Sequence, residues 1–451
     1  MLEALDAVVV GGGISGLTAA LALAKAGRKV ALVEASPRFG GCIGSVRTGR
    51  YVADMGPQTL VMTQVLRELV ADLGLGEQFI AAPPGLKRYV LRKGKLIALP
   101  LSPPQFLATP LFSVETKARV IWEPFVSSTQ SSDDESISSF VRRRASAELI
   151  DTLVTPLVAG VYAGDPEQLS MRSAFPRIAD MERTHGSVVR GFLALARASG
   201  RPTRLQSGGF VQGNQTLIDM LVARLGASAY RNARVVTLRQ RGAGFILECD
   251  GLPESKIEAA RVILATSAEK AAELVKPLEP GAAEDLYAVE SPPVAQVALA
   301  YPKASVGVPL DGFGFLACRG EDVRILGAVW NSVVLPARCP DSEVLITAFL
   351  GGATDSDIQE CNDEEVARIA HRDLSKVMGI SQRRPTVVAG FRWANAIPQY
   401  TLGHEQRMAR IRATIDRVPN LYLAGNFMSG VSVSDCIRLA QAAAARALSH
   451  P

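Results

Sequence analysis

The chain has 451 residues, of which 48% are hydrophobic and 21% are charged, and its formal net charge is +5. This balance is ordinary for a globular enzyme, and the length allows a large core divided into two or three lobes. The basic residues are dispersed and not interleaved with aromatic ones, which argues against a nucleic-acid-binding surface. A modest positive charge suits an anionic substrate or an anionic membrane surface.

The six cysteines are scattered without a CxxC pair. We therefore expect neither a metal site nor a disulfide framework, and a reducing compartment. The first strand begins within a few residues of Met1, which leaves no room for a targeting peptide, and no run of 18 apolar residues is present. These features predict a cytoplasmic protein that does not span a membrane.

The first recognisable unit, residues 7–34, reads as strand, glycine loop, helix, strand and acid. The apolar run 7–10 is typical of a strand buried on both faces, and the GxGxxG loop lets backbone approach a pyrophosphate at a helix N-terminus. An acid ends the second strand 18 residues after the last glycine, where it can accept hydrogen bonds from a ribose. The unit predicts a Rossmann-type site for an adenine dinucleotide, formed by Gly11, Gly13, Ile14, Ser15, Gly16 and Glu34.

The segment after this acid indicates which dinucleotide is bound. Residues 38–41, Arg-Phe-Gly-Gly, resemble the extension of FAD-dependent oxidases of the amine-oxidase type. There the glycines pass close to the FAD pyrophosphate and the arginine supports the loop, so the resemblance implies FAD rather than NAD. Cys42 stands where those families often carry arginine, which removes one phosphate contact and leaves the loop geometry intact. The residues assigned to this part of the site are Ala35, Ser36, Arg38, Gly40 and Gly41.

The elements that follow are of two kinds. Residues 88–99 predict a β-hairpin. From residue 102 to about 204 strand signals vanish, and proline-punctuated amphipathic helices replace them, with a polar loop at 127–135. A second strand-rich region runs from about 291 to 393, and residues 421–426 begin another strand–loop–helix unit. We expect the two α/β ends to meet in space, with the remainder as insertions.

The C-terminal run, residues 423–436, is a second cofactor signal. Its glycines bracket a loop at a helix start, where backbone N–H groups can lie under the pyrimidine edge of an isoalloxazine. The helix dipole there can stabilise the negative charge of a reduced flavin. The residues assigned to this contact are Gly425, Asn426, Gly430, Val431 and Ser432. The predicted cofactor site is completed by Gly56, Pro57, Val235 and Trp393.

Three runs carry a more specific resemblance. They are Gly-Val-Tyr-Ala-Gly-Asp at 160–165, Ile-Pro-Gln-Tyr-Thr-Leu-Gly-His at 397–404 and the C-terminal run at 423–436. On these runs the chain resembles the protoporphyrinogen oxidase family, from residue 7 to about 445. The resemblance implies an α/β fold, in part α+β, with a Rossmann-type FAD-binding domain, a mixed-sheet substrate-binding domain and an inserted helical membrane-associating domain. The predicted bounds are 1–56, 205–267 and 418–451 for the first, 57–101 and 268–417 for the second, and 102–204 for the third.

The resemblance also implies a reaction. The family removes six electrons from protoporphyrinogen IX to give protoporphyrin IX in haem biosynthesis, by three hydride transfers to N5 of FAD. O2 reoxidises the flavin, which leaves three H2O2. Such chemistry needs positioning more than acid–base groups, so no catalytic side chain is assigned. His185 and His404 are given structural roles, and Cys436 is expected to be a buried small residue rather than a flavin attachment point.

The macrocycle pocket is likewise implied by the resemblance. Segments 312–316, 326–329 and 349–352 match family strands that lie against the tetrapyrrole, and flat apolar rings are held by aliphatic and aromatic side chains. The carbonyl of Gly160 is expected to face pyrrole N–H groups. Gln58 stands where some members carry an arginine for a propionate, and the sequence does not identify a cation that compensates. The predicted substrate residues are Gln58, Gly160, Phe313, Gly314, Leu316, Val329 and Phe349.

Two alternatives stay open. Coproporphyrinogen III has two further propionates in place of vinyl groups, and a bacterial oxidase that prefers it would have the same fold and acceptor. A remote alternative is a non-catalytic binder that resembles the GDP-dissociation inhibitors, which share the fold and lack working FAD loops.

The helical insert predicts peripheral contact with an anionic membrane surface, at the inner face of the cell membrane. Its candidate exposed apolar residues are Phe106, Leu111, Phe112, Trp122 and Phe125. The same helices could instead form dimer contacts. The expected partners are the tetrapyrrole, O2 and the membrane surface, without nucleic acid, while a homodimer and a hand-off to a ferrochelatase are left open.

Overall fold

The computed structural model of the chain describes residues 5–127, 133–198 and 206–449. The polar loop predicted at 127–135 falls mostly outside these ranges, and so does the domain boundary predicted at 204/205. The described part holds nineteen strands, β1 to β19 in chain order: Leu5–Val10, Val30–Val33, Gly44–Thr48, Tyr51–Met55, Leu60–Val61, Phe79–Ala81, Lys87–Arg92, Lys95–Ala98, Ser207–Phe210, Ala229–Tyr230, Arg234–Arg241, Gly244–Asp250, Lys256–Leu264, Val294–Pro302, Gly312–Ala317, Ile325–Val329, Glu343–Gly351, Thr386–Trp393 and Leu421–Leu423.

The same described ranges hold seventeen α-helices, α1 to α17 in chain order: Ile14–Lys25, Gln64–Asp72, Pro103–Ala108, Val114–Trp122, Ile137–Arg144, Ala147–Leu149, Thr155–Tyr162, Met171–Ala174, Pro176–His185, Val188–Ala198, Gln215–Leu225, Ala268–Val275, Pro280–Tyr287, Asn331–Val334, Asp363–Met378, His404–Ile415 and Val433–Ser449.

The first sheet has the strand order β10-β2-β1-β13-β12-β11, and β19 also pairs with β13. Strands β10, β2, β1, β13 and β19 are parallel, and β12 and β11 extend the sheet in antiparallel fashion. The valine-rich centres of β1 and β2 are buried, as expected of parallel strands that helices cover on both faces. The strand ends at Val10, Val33, Leu264 and Leu423 therefore meet at one edge, where sheets of this type bind ligands.

Helices cover both faces of the first sheet. One core holds α1, α2, α11 and α17, and the other holds α12, α13 and α16. Four of these helices, α2, α12, α13 and α16, come from segments predicted to belong to the substrate-binding domain, 57–101 and 268–417. The sequence pattern predicts which side of a helix is apolar, but it does not predict which sheet that side covers. The domain bounds themselves stay a prediction.

The second sheet has the order β18-β14-β17-β16-β15-β7-β8. Its pairs are antiparallel except for the parallel pair of β15 and β7. Helix α15 packs on one face through a buried core, and α7 lies against β15 and β16. The hairpin predicted at 88–99 is confirmed as β7 and β8, with left-handed Lys93 and Gly94, of φ 51° and 70°, in its turn.

The helical insert comprises α3 to α10, and its described residues include no strand, as predicted. Its centre is a buried ion network in which Arg144 lies 2.5 Å from Glu123 and 2.6 Å from Glu182. Glu123 also accepts hydrogen bonds from the N–H groups of Val188 and Val189, at 3.0 and 3.1 Å. These groups open α10, so the carboxylate both pairs with a cation and complements a helix N-terminus. Glu123 thereby ties α10 to the end of α4.

The surface of the insert differs in part from the prediction. Trp122 and Phe125 are 65% and 67% exposed, as expected, and their rings lie 4.9 Å apart. Leu111 and Phe112 are buried because they pack in a small core beneath β7, so the prediction of their exposure is wrong; Phe106 is half-buried beside them. Other exposed apolar side chains of the insert are Leu107, Val114, Ile121, Leu157, Val161, Phe192, Leu193 and Leu195. Within the described ranges, no helix combines the length and the apolar character that crossing a bilayer requires.

Candidate active site

The two loops predicted to hold FAD meet at one edge of the first sheet. Loop 11–16 follows β1 and loop 425–432 follows β19, and the ends of both strands, Val10 and Leu423, are in register with Leu264 of β13. Helices α1 and α17 start from these loops and pack together in one core. The fold therefore joins the first and last units of the chain in one site, as the sequence predicted.

The glycines of the first loop differ in what surrounds them. A Cβ at Gly16 would lie 1.8 Å from the Gly11 oxygen, and a Cβ at Gly11 would lie 2.5 Å from the Ala265 oxygen. Packing within the protein therefore demands these two glycines. A Cβ at Gly13 would meet nothing nearer than 4.0 Å, at the Cα of Gly41. The open space beside Gly13 and Gly41 is a cradle that a side chain would fill, and we call it the glycine cradle.

The glycine cradle fits the pyrophosphate of FAD. Gly13 is the N-cap residue of α1 and forms a bridge with Gly40, and among the described residues no side chain caps this helix. The first-turn N–H groups, which begin at Ile14 and Ser15, and the positive end of the helix dipole favour an anion at this place. Space and donor chemistry thus both match a diphosphate held by backbone.

Glu34 is positioned for a ribose. Its Oε2 accepts a hydrogen bond from the N–H of Gly12 at 2.6 Å, and its Oε1 accepts one from the N–H of Ser36 at 2.7 Å. A carboxylate offers about four lone-pair positions, so these bonds fix the side chain and leave acceptor capacity for hydroxyl groups.

Arg38 supports the cofactor loop, as the resemblance implied. Its guanidinium donates to the carbonyl oxygens of Ile43, at 3.0 Å, and of Gly41. A Cβ at Gly56 would lie 2.2 Å from the Cys42 oxygen, so the turn that follows β4 packs closely on the same loop. These contacts hold the backbone on one side of the glycine cradle.

Four further cofactor predictions lie around this centre. Ala35 is exposed beside the acid, and the Pro57 oxygen accepts a hydrogen bond from Asn214 Nδ2 at 2.9 Å. Val235 lies in β11. The segment just before this strand donates backbone hydrogen bonds to carbonyl oxygens of the segment that follows β2. Trp393 is half-buried at the end of β18. Their contacts with FAD stay predictions.

The loop 425–432 is held by its own side chains and by a tyrosine. The N–H of Asp435 donates to Ser432 Oγ at 3.1 Å, and Ser432 Oγ donates to a carboxylate oxygen of Asp435 at 2.5 Å. From outside the loop, the hydroxyl of Tyr400 donates to the Asn426 oxygen. The loop is thus a defined backbone surface at the start of α17.

Other residues of this segment agree with the sequence reasoning. Gly430 has a left-handed φ of 76°, and Val431 is half-buried. A Cβ at Gly425 would lie 2.6 Å from the Phe427 ring. Cys436 is buried, and burial is the main reason that the pKa of its thiol is raised to about 12. The thiol stays protonated, which supports its assignment as a small packing residue.

The three runs that carry the family resemblance, 160–165, 397–404 and 423–436, are neighbours in space, and we call them the signature runs. The amide of Gln399 donates to the Tyr162 oxygen at 2.8 Å, which ties run 397–404 to run 160–165. The ring of Tyr162 is edge-on to that of Tyr400, with centroids 5.6 Å apart, and Tyr400 in turn reaches the loop 425–432. The three runs are distant in sequence, and the fold brings them into contact.

Most predicted substrate residues share one face of the second sheet. Leu316 of β15 is opposite Gly327 of β16, which is opposite Phe349 of β17. Gly314 is opposite Val329, two residues along the same strands. Because opposite residues share a face and side chains alternate with a period of two, these side chains form one surface. We call it the apolar wall.

The residues that alternate with the wall positions, together with helix α7, show which face of the second sheet carries the apolar wall. Phe315 and Ala328 are buried in the core on the face that α15 covers, whereas Leu316, Val329 and Phe349 of the wall are half-buried. Gly160 of α7 lies against the apolar wall, since a Cβ there would approach Leu316 Cδ2 to 2.7 Å. The structure therefore brings together the predicted strand residues and Gly160.

Sequence reasoning missed Arg88. This residue of β7 is opposite Gly314, and its guanidinium carbon lies 5.1 Å from the centroid of the Phe313 ring. Arg88 is exposed, so it places a positive charge at the margin of the apolar wall. Its position at the start of a predicted hairpin strand was visible, but only the pairing of β7 with β15 shows which residues it accompanies.

Gln58 is held by hydrogen bonds to protein groups. It is buried, its Nε2 donates to the oxygens of Asp54 and Gly56, both at 3.0 Å, and its Oε1 accepts from Asn331 Nδ2 at 2.6 Å. The amide is satisfied by protein groups, so a bond from Gln58 to a propionate lacks geometric support. Arg88 is a cation at the margin of the apolar wall that sequence analysis did not single out.

The chain is similar to known proteins in sequence and in fold. A family model described as flavin containing amine oxidoreductase matches residues 14–448. The chain is 32% identical to a coproporphyrinogen III oxidase of Bacillus subtilis, over 98% of both chains. It is 30% identical to a chloroplastic protoporphyrinogen oxidase of Nicotiana tabacum, over 96% of this chain and 83% of the relative. A crystal structure from Exiguobacterium sp. 255-15 superposes with a TM-score of 0.86 at 24% identity and covers 99% of both chains, which shows a shared fold.

Proposed function

The chain belongs to the family of flavin-containing amine oxidoreductases, and on that premise we propose that it oxidises a porphyrinogen in tetrapyrrole biosynthesis. The family confirms the prediction of an FAD-dependent oxidoreductase, and the glycine cradle fits that cofactor. Membership of a family of redox enzymes also sets aside the alternative of a non-catalytic binder.

The observation that carries the proposal is the apolar wall with Arg88 at its margin. A porphyrinogen is a broad apolar ring system with carboxylates on its edge, and aliphatic and aromatic side chains suit its faces. A guanidinium suits its edge because it can bind a carboxylate through two parallel hydrogen bonds. We infer that Arg88 binds a propionate while Leu316, Val329 and Phe349 contact the ring.

Helix α7 adds a polar contact to this arrangement. Gly160 lies in its last turn, and the last four carbonyls of an α-helix have no partner within the helix. The carbonyl of Gly160 can therefore accept hydrogen bonds from pyrrole N–H groups. Because Gly160 has no side chain, this turn also approaches Leu316 closely.

The remaining residues hold the cofactor. Bound FAD supplies a two-electron acceptor at N5, which O2 regenerates with release of H2O2. The glycine cradle would hold the diphosphate, Glu34 would accept hydrogen bonds from the ribose, and the loop 425–432 would present backbone N–H groups to the isoalloxazine. The dipole of α17 favours negative charge at that end of the ring system.

We propose protoporphyrinogen IX as the substrate, because the apolar wall suits its vinyl-bearing edge. Coproporphyrinogen III is the second candidate. The observation in its favour is the Bacillus subtilis relative, which matches this chain over 98% of both lengths.

The experiment that tests the proposal mixes the purified holoprotein with each porphyrinogen under anaerobic conditions. Bleaching of the flavin absorbance and the appearance of porphyrin fluorescence would support oxidation, and readmitted O2 should restore the flavin and yield H2O2. An unchanged flavin with both porphyrinogens would contradict the proposal. Faster bleaching by coproporphyrinogen III than by protoporphyrinogen IX would reassign the substrate.

We also propose peripheral binding to an anionic membrane at the cytoplasmic face, through exposed apolar residues of the insert. Trp122 and Phe125 lie next to α10, because Glu123 accepts a hydrogen bond from the start of that helix. Helix α10 in turn exposes Phe192 and Leu193. Each large apolar side chain that leaves water contributes about 1.5–3 kcal/mol. The net charge of +5 favours an anionic surface. A homodimer and a hand-off of the product to a ferrochelatase stay predictions.

Co-sedimentation with anionic vesicles tests this binding. The variant W122A/F125A should sediment less than the wild type, whereas Val387→Ala, which changes an exposed apolar residue of β18, should sediment equally. Equal sedimentation of all three proteins would contradict membrane contact through the insert. A changed oligomeric state of W122A/F125A would instead indicate dimer contacts.

A further inference from the structure

Two aromatic rings of the signature run 397–404 stand next to the loop 425–432. Tyr400 is fully buried, and His404 stacks on it, with centroids 4.3 Å apart and planes inclined by 23°. His404 is only 2% exposed and opens α16. Neither residue belongs to the glycine cradle or the apolar wall.

The polar groups of this pair face successive peptide units of the loop. The hydroxyl of Tyr400 donates to the Asn426 oxygen, and the ring of His404 lies beside the backbone of Phe427 and Met428. Among the described residues, neither ring nitrogen of His404 has a hydrogen bond of normal geometry. Burial of such a group is unfavourable, and the favourable contact that the structure shows for this ring is its stacking on Tyr400.

Both side chains stay uncharged. Burial, followed by the charge of Arg407, lowers the pKa of His404 to about 4, so the imidazole is neutral near pH 7. Burial also raises the pKa of Tyr400, which keeps its hydroxyl protonated and able to donate to the loop. The pair therefore supplies one directed hydrogen bond and places no charge beside the loop.

We propose that Tyr400, held in place by His404, is a positioning residue that sets the direction of the loop 425–432 toward FAD. In a trans peptide the C=O and N–H groups point in opposite directions. Because the Asn426 carbonyl is held toward Tyr400, the N–H of Phe427 points the other way. Tyr400 thus acts through the backbone and needs no contact with the cofactor.

The test compares Tyr400→Phe with Tyr162→Phe. Each change removes one buried hydroxyl that donates to a backbone carbonyl, that of Asn426 for the first and that of Ala174, at 2.8 Å, for the second. Only the Asn426 carbonyl belongs to the loop 425–432. Loss of such a bond should raise the Kd for FAD about three- to tenfold in Y400F. Y400F should also shift the flavin spectrum and reduction potential, whereas Y162F should lose similar thermal stability and keep all three wild-type values.

A Y400F protein with wild-type Kd, spectrum and potential would overturn the proposal, and so would equal changes in Y400F and Y162F. Two changes at His404 test its part in the same way. His404→Ala removes the stacked ring and should reproduce the spectrum of Y400F, whereas His404→Phe keeps a stacked ring and should restore the wild-type spectrum. Equal effects of both changes would overturn the role given to stacking.

The inference rests on FAD as the cofactor and not on the porphyrinogen. All of its measurements are made without a porphyrinogen, so their failure leaves the proposed reaction untouched. Failure to oxidise a porphyrinogen would likewise leave the Kd, the spectrum and the potential interpretable.

Discussion

The guanidinium carbon of Arg88 lies 5.1 Å from the centre of the Phe313 ring, between two strands that pair in parallel. An aromatic face attracts a cation, which restrains the long arginine side chain at the surface. The positive charge is thereby held at the margin of the apolar wall, where a carboxylate on the edge of a broad substrate would lie.

Replacement of Arg88 should therefore weaken substrate binding and leave cofactor binding unchanged. A hydrogen bond to a charged group contributes about 1.5–3 kcal/mol, so Arg88→Gln should raise KM for the porphyrinogen about tenfold or more. Steady-state kinetics and flavin content measure the two effects. Lys87→Gln is the matched control, because Lys87 is the neighbouring exposed cation and pairs with Asp311 at 2.7 Å. Equal KM values in both variants would contradict the role of Arg88.

The contact of Gly160 with Leu316 predicts a change confined to the substrate side. In Gly160→Ala the new methyl group would displace the end of the Leu316 side chain, which is flexible, so the fold and the FAD content should persist. The displaced apolar wall should lower kcat/KM for the porphyrinogen about tenfold. Gly281→Ala introduces the same methyl group where nothing lies within 4 Å, and its kinetics should match the wild type. Unchanged kcat/KM in G160A would contradict this view of the wall.

The two glycines on either side of the start of α1 should respond differently to alanine. Gly13→Ala keeps an extended backbone at φ −72° and crowds no protein atom, so the apoprotein should fold with an unchanged Tm and lose FAD. Gly16→Ala would place a Cβ 1.8 Å from a backbone oxygen, so this variant should fail to fold. Flavin absorbance and thermal unfolding of the apoprotein distinguish these outcomes. Retention of FAD by G13A would contradict the assignment of the glycine cradle.

The buried imidazole of His404 predicts a pH dependence of stability. Its pKa is lowered from 6.5 to about 4 in the folded chain, mainly by burial. Between these values the unfolded chain binds a proton that the folded chain does not, so the free energy of unfolding falls as pH decreases through this window. The loss from this group is about 3 kcal/mol when it is complete, below pH 4.

Denaturant unfolding of the wild type and His404→Phe between pH 7 and pH 4 measures this contribution. From pH 7 to pH 4 the free energy of unfolding of the wild type should fall by about 3 kcal/mol more than that of His404→Phe, since only the wild type carries the imidazole. Carboxylates contribute equally to both proteins. One is Glu148: burial alone would raise its pKa, but hydrogen bonds, first that of Ser113, lower it to about 2. Parallel pH profiles of the two proteins would contradict the buried neutral state of His404.

The cofactor side of the site was predictable because each of its parts is local. The apolar strand, the glycine spacing, the acid and the segment 38–41 lie within a few tens of residues. Each depends on a backbone conformation that its own residue types favour. Gly16 is an example, since its closest contact, with the oxygen of Gly11, is made inside one strand–loop–helix unit. The helical character of the insert was predictable for the same reason.

The substrate side depended on contacts between distant segments. Leu316, Val329 and Phe349 were predicted from motif resemblance, but their common face follows from the register of three strands. Arg88 was missed because its partner strand lies far along the chain.

The amino-acid sequence by itself determined the FAD-binding unit, the α/β class and the helical insert, because strand, loop and helix signals are short-range. Only the tertiary structure decided that Gln58 is buried, that Leu111 and Phe112 face inward, and that Arg88 stands at the wall. The physical reason is that the side of a strand or helix that becomes buried depends on which distant element packs against it.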